Sequence, residues 1–158
     1  MRYGVYFKTW TGVHAGKMLN PVTRFVIYMG SDCQHLGYPP NGGGGGKGYA
    51  ANLTFEDFTL NNASGIFAIT QCTSYNSASG NCDTSEFNLR DISLLNWSGT
   101  TTSDVIGSIQ CSGASPCTGI TIEGVEGLVD TVNGTTPRQY LCDSVVKPTG
   151  FNCKYRSA

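Results

Sequence analysis

Along much of this chain apolar and polar residues alternate for a few positions, break at a small or acidic residue, and then alternate again in the opposite phase. Leu53-Thr-Phe-Glu-Asp-Phe-Thr-Leu60, Leu89-Arg-Asp-Ile-Ser-Leu94 and Ile120-Thr-Ile-Glu-Gly-Val125 share this form. Alternation is the signature of a strand buried on one side, so the phase change at Asp57, Asp91 and Gly124 predicts a bend. Phe55, Leu89 and Ile122 are the matching positions, at intervals of 34 and 33 residues. A second strand follows in the first two copies, Gly65-Ile-Phe-Ala-Ile-Thr-Gln-Cys72 and Asp104-Val-Ile-Gly-Ser-Ile-Gln-Cys111, each ending in Gln-Cys before a Gly/Ser/Asn-rich loop.

Strand, bend, strand and loop at a fixed period make one coil of a parallel β-solenoid, in which each coil hydrogen-bonds to the next and stacks its apolar side chains inward. The competing arrangement is an antiparallel β-sandwich, whose turns usually recur at shorter intervals without a long shared motif. Gly4-Val-Tyr-Phe-Lys-Thr-Trp10 reads as an earlier strand, with Val5 and Phe7 on one side and Tyr6 and Lys8 on the other. Residues from about 130 to 158 read as a C-terminal cap.

Two segments depart from the pattern. Pro39-Pro-Asn-Gly-Gly-Gly-Gly-Gly-Lys-Gly48 is a surface loop: its Lys is not followed by the Ser or Thr of a phosphate-binding loop, and no helical pattern comes after it. Residues from about 15 to 34, with Cys33 and the apolar run Phe25-Val-Ile-Tyr-Met29, fall outside the repeat. They are read either as an insertion, such as a retained intron, or as a long loop.

Composition narrows the class. The chain has 158 residues, a length that suits one domain. Its formal net charge is −1 and 13% of its residues are charged, which leaves no basic surface for nucleic acid. No apolar run approaches the roughly 20 residues of a membrane-spanning helix. Met1 to Trp10 has no signal-peptide pattern.

Six of the seven cysteines fall into local couples, Cys72 with Cys82, Cys111 with Cys117, and Cys142 with Cys153. Such couples could close short loops in an oxidising compartment. Metal binding is disfavoured: no couple has zinc-knuckle spacing, and His14 and His35 lie far from all of them. Four sequons, at Asn52, Asn62, Asn96 and Asn133, agree with secretion. Secretory features without a leader lead to the expectation of an incomplete copy of a longer secreted protein.

The order and spacing of Gly4 to Trp10, the Gly-rich loop, the three strand motifs and the cysteine couples resemble the C-terminal part of the fungal polygalacturonase and rhamnogalacturonase family, glycoside hydrolase family 28. The resemblance implies an all-β, right-handed parallel β-helix of the pectin-lyase type, incomplete at its N-terminus. It also implies hydrolysis, with inversion, of galacturonate-containing pectin, without a cofactor, by a protein expected to be extracellular, monomeric and without nucleic-acid or membrane partners. Gly4-Val-Tyr-Phe-Lys8 corresponds to the family's G-x-R-I-K strand; the family's Asp-containing and G-H-G segments would lie before residue 1.

Lys8 is therefore expected to hold a substrate carboxylate or hydroxyl. Tyr6 stands where the family commonly has Arg, and replaces a forked cation by a ring that can stack on a sugar. That exchange shifts the expectation from ordinary endo-polygalacturonase action toward exo action, or toward rhamnogalacturonan or xylogalacturonan.

Inversion requires two carboxyl groups about 6.5 to 9.5 Å apart across the sugar. Glu56 with Asp57 and Glu123 with Glu126 fall at bends, and Asp91 in a turn, so no residue of this chain is assigned a catalytic role and no isolated activity is expected. The alternative is a non-catalytic β-helical carbohydrate-binding or structural module.

Overall fold

The computed structural model describes residues 5–8, 18–19, 27–30, 47–71 and 85–155. These residues form fourteen strands and no helix. In chain order they are β1 (Val5–Lys8), β2 (Met18–Leu19), β3 (Ile27–Gly30), β4 (Lys47–Glu56), β5 (Thr59–Ala63), β6 (Phe67–Thr70), β7 (Glu86–Leu95), β8 (Ser98–Thr101), β9 (Val105–Gln110), β10 (Cys117–Glu123), β11 (Gly127–Asp130), β12 (Gln139–Asp143), β13 (Val145–Val146) and β14 (Lys154–Tyr155).

Sheet A has the order β1-β3-β6-β9-β12-β14, sheet B the order β13-β10-β7-β4-β2, and sheet C the order β11-β8-β5. Every ladder between these strands is parallel. From β4 onward the chain passes through sheets B, C and A in turn, three times over, which is a parallel β-helix and excludes the sandwich.

The core lies between the sheets. Leu53, Phe55, Ile92, Leu94, Ile120 and Ile122 of sheet B meet Ile69, Ile109 and Cys142 of sheet A in one buried cluster, all at most 1% exposed. Burying each large aliphatic or aromatic side chain contributes roughly 1.5–3 kcal/mol, so the stacked rows dominate the stability of the coils.

Each corner is closed by a buried polar group that satisfies backbone. Between sheets B and C, Trp97 stacks on Phe58 at 4.5 Å between ring centroids, and its indole N–H donates to the Phe55 carbonyl at 2.9 Å. Between C and A, the Thr101 hydroxyl donates to the Ala63 carbonyl at 2.8 Å. Between A and B, the amide of Gln71 donates to the Phe87 carbonyl at 2.7 Å and accepts from Ser112 N–H at 3.0 Å. Unpaired, any of these buried backbone groups would cost about 1–3 kcal/mol.

The bends have a common cause, but the repeat has another register than the motif implied. Phe55 pairs with Leu94, and Leu94 with Ile122, so equivalent positions are 39 and 28 residues apart. Two positions five residues apart, one within each long strand and one just after its end, take the left-handed conformation: Asn52 and Asp57, Asp91 and Asn96, Gly119 and Gly124. Register stacks Asn52, Asp91 and Gly119 in one ladder and Asp57, Asn96 and Gly124 in another. Matching Asp57 to Asp91 therefore slips the middle copy by one ladder. The two-coil distance stays the same because Phe55 and Ile122 remain equivalent, and the two intervals differ because fifteen residues separate β6 from β7, whereas β9 and β10 are joined by a short connection clipped by the Cys111–Cys117 disulfide.

Gln-Cys likewise falls out of phase: Thr70 pairs with Gln110, so Gln71 lies opposite Cys111. Gln71 turns into the core while Gln110 is half-buried on the outer face.

Within 15–34, where no part of the repeat was expected, Met18–Leu19 pairs with β4 and Ile27–Gly30 lies between β1 and β6. Both pieces occupy rungs of the stack. The segment from residue 130 carries β12, β13 and β14, which join sheets A and B, and is closed by the Cys142–Cys153 disulfide. Cys72, Cys82, Cys33, both histidines and most of the Gly-rich loop lie outside the described residues.

Candidate functional site

Strand periodicity builds an outer face on sheet A. Along β6, β9 and β12 the inward residues Phe67, Ile69, Ile109, Tyr140 and Cys142 are buried, while Ala68, Thr70, Ser108, Gln110, Leu141 and Asp143 between them are half-exposed. Successive side chains of a strand point to opposite faces, so these six share the outer face.

Register extends the face into two rows. Tyr6 stands in line with Tyr28, Ala68, Ser108, Leu141 and Lys154, and Lys8 in line with Gly30, Thr70, Gln110 and Asp143. Tyr6 and Lys8 thus stand two residues apart on β1, one at the head of each row. A bulge between Gln139 and Tyr140 resets β12 against β9 before these rows are reached.

Below this face the strands are held rigidly. The Tyr140 ring packs on Phe151 at 4.7 Å, and burial, followed by the charge of Glu126, pushes its phenol above the ordinary tyrosine range. At the start of the strands the Asp104 carboxylate accepts from the amide of Gln139 and the N–H of Arg138, tying β9 to β12.

The other carboxylates are placed elsewhere. At the corner between sheets B and C, the bend at Asp57 brings Glu56 and Asp57 to the same amide: Asn96 Nδ2 donates toward both at 3.5 Å. Asp91 pairs with Arg90 at 3.1 Å, and the Arg90 guanidinium lies 5.0 Å from the centre of the Tyr49 ring, so this cation of sheet B is engaged within the protein. Glu123 and Glu126 flank the bend at Gly124. The buried Asp130 accepts from Val132 N–H at 2.9 Å and from the Asn133 amide at 2.6 Å, closing a turn. In the two rows of sheet A, Asp143 is the one carboxylate among the described residues.

Among the described residues no group of three or more His, Cys, Asp or Glu side chains is placed to hold a metal ion. Two of the three expected cysteine couples are disulfides, Cys111–Cys117 and Cys142–Cys153, with Cα separations of 5.7 and 5.4 Å.

All four sequon asparagines are exposed. Asn52, Asn62 and Asn96 occupy left-handed turn positions, and Asn133 is engaged by Asp130. The polar corner residues Gln71, Thr101 and Asp130 were missed by sequence reasoning because nothing in their local pattern separates a polar residue that turns inward from one that faces water.

Comparison with known proteins gives the site its context. The description Glycosyl hydrolases family 28 matches residues 42–149. An α-L-rhamnosidase of Aspergillus niger is 43% identical over 152 residues, covering 96% of this chain and 30% of the relative. A protein of Aspergillus flavus that bears the name galacturan 1,4-α-galacturonidase is 34% identical over 158 residues, covering 91% and 31%. An exopolygalacturonase of Emericella nidulans is 33% identical over 107 residues, covering 65% and 24%. The chain spans about a third or less of the length of these relatives. No solved structure matches it.

Proposed function

Because the chain belongs to glycosyl hydrolases family 28, we propose that it forms one wall of the substrate cleft of an extracellular, pectin-directed glycoside hydrolase. The reading is supported by the backbone register, which puts Tyr6 in line with Ala68 and Ser108 and Lys8 in line with Thr70 and Gln110. A ring offers a stacking surface for a sugar and an ammonium offers a partner for a carboxylate, which is the pairing a pectic ligand calls for. Two disulfides support an oxidising, secretory setting. Relatives named as a rhamnosidase and an exopolygalacturonase support exo action, with rhamnogalacturonan ahead of plain polygalacturonate.

A specific observation favours a second reading for the chain taken alone. Inverting hydrolysis needs two carboxyl groups facing one sugar, and the described part of the face holds Asp143 alone. The chain by itself is then a binding module, and hydrolysis belongs to the whole enzyme. Titration calorimetry of the purified chain with pectic oligosaccharides, run beside a reducing-sugar assay, tests both readings. Binding without sugar release is expected, weakened about tenfold or more by Tyr6→Ala or Lys8→Ala. Release of reducing sugar would overturn the second reading, and the absence of any pectic binding would overturn the first.

A further inference from the structure

The sequons at Asn52, Asn62, Asn96 and Asn133 have no part in the function proposed for sheet A. None lies on that sheet, whose six strands contain no asparagine. Asn52 belongs to β4 of sheet B and Asn62 to β5 of sheet C, Asn96 follows β7 at the corner between those sheets, and Asn133 follows β11.

Exposure does not separate the four, since all are exposed; the state of the side-chain amide does. An N-linked sugar replaces one of the two hydrogens of Nδ2, so that nitrogen has to face water with room for a bulky substituent. Asn52 and Asn96 form the cleanest pair, because both have a φ of 57°. Among the described residues nothing hydrogen-bonds to the Asn52 side chain. On Asn96, by contrast, Nδ2 donates toward Glu56 and Asp57 of the coil before, at 3.5 Å each. Its Oδ1 lies against Gly124 of the coil after, 2.6 Å from where a Cβ would stand, so this amide is held at both ends along the stack.

The other two sequons divide in the same way. Asn133 Nδ2 turns back onto the Asp130 carboxylate at 2.6 Å, and Asp130 is 1% exposed. Asn62 is fixed through its other groups: Oδ1 accepts from the Thr131 hydroxyl at 3.4 Å and the backbone N–H donates to Thr100 Oγ1 at 2.8 Å. Its Nδ2 has no partner among the described residues.

Resting on the reading of the protein as extracellular, we propose that Asn52 and Asn62 carry N-linked glycans, whereas Asn96 and Asn133 are unmodified in the folded chain. In the transfer, Nδ2 bonds to C1 of the first sugar of a lipid-pyrophosphate-linked oligosaccharide. The bond from C1 to the pyrophosphate oxygen breaks, its electron pair leaves with the pyrophosphate, and Nδ2 gives up one proton. Transfer meets the chain before its coils close, so the fold acts by selection. A sugar on Asn96 would stand where the amide meets the coil before, and one on Asn133 would crowd the donor of a buried carboxylate. Molecules modified there are lost from the folded, secreted fraction. The outer face of sheet A then bears no attached sugar.

Peptide mapping of the chain secreted from a yeast tests this. An amidase that converts each glycosylated Asn to Asp in heavy-oxygen water marks the occupied positions in the mass spectrum. Marks at Asn52 and Asn62, and none at Asn96 or Asn133, are expected. On a denaturing gel Asn52→Gln and Asn62→Gln should each remove one glycan step of mobility, and Asn133→Gln should remove none. A mark at Asn96 or Asn133 in the secreted chain would overturn the sorting by amide. Secretion without a mark at Asn52 or Asn62 would overturn the unmarked site while leaving the extracellular reading standing. Retention of the chain inside the host would instead remove that reading, and the glycans with it.

Discussion

The corner between sheets B and C and the outer face of sheet A are both rich in small polar residues, and they use them in opposite ways. At the corner, Asp57, Asn96 and Gly124 are stacked in register with left-handed backbones, and Asn96 reaches the carboxylates of the coil before it. Their polarity serves the backbone, which must turn at the same height in every coil. On sheet A the equivalent ranks, Thr70 and Gln110, sit on ordinary extended strands that alanine or lysine could equally adopt. There no turn of the backbone dictates the residue. Stability is therefore expected to be sensitive at the corner and specificity at the face.

The largest effect expected is at the corner. Trp97 is fully buried, stacks on Phe58 and donates to the Phe55 carbonyl. Trp97→Ala should cost about 3–5 kcal/mol, because it opens a cavity and also leaves that carbonyl without its donor. Urea unfolding followed by circular dichroism measures this. A loss below about 1 kcal/mol would mean that the corner does not organise the coils.

Gly124→Ala should cost less, about 1–2 kcal/mol, through its left-handed backbone. A steric part adds to it, since a Cβ there would lie 2.6 Å from Asn96 Oδ1 and 3.0 Å from Asn96 N. The two parts separate in an Asn96→Gly background, where the clash with the side-chain oxygen is gone and the backbone strain stays. An undiminished cost in that background would assign the effect to backbone strain and to the contact with the backbone of residue 96, not to the side-chain oxygen.

The same contrast explains what could be read from the chain. The parallel β-helix was legible because alternation, bend and period recur together, as in Leu53 to Leu60. The register was not: two left-handed positions five residues apart in each coil gave a false match between Asp57 and Asp91, and only the pairing of Leu94 with Phe55 resolves it. Lys8 and Tyr6 were legible as a motif, but the rows they head were not. Ala68, Ser108 and Gln110 carry no local signal, and they become neighbours only when strands about 40 residues apart are laid side by side. Buried polar corners such as Gln71 were hidden for a related reason, since their partners Phe87 and Ser112 lie on other strands and turns.

A titratable group on the inner side of sheet A, Tyr140, sharpens the comparison, and its effect is the smallest expected because it is confined to alkaline pH. Tyr140 lies against Phe151, and its phenol is raised above the usual tyrosine range first by burial and then by Glu126. A raised value means that the neutral phenol is favoured in the folded chain. The stability it contributes is present below the unfolded tyrosine value of about 10 and is lost as pH rises through the higher folded value. Urea midpoints of the natural chain should therefore fall more steeply above pH 10 than those of Tyr140→Phe, whose ring keeps the packing without the proton. Below that pH the two curves should run parallel. If they run parallel throughout, the inner side of sheet A admits water at Tyr140, and the outer rows would then rest on a less rigid support than the corner between sheets B and C.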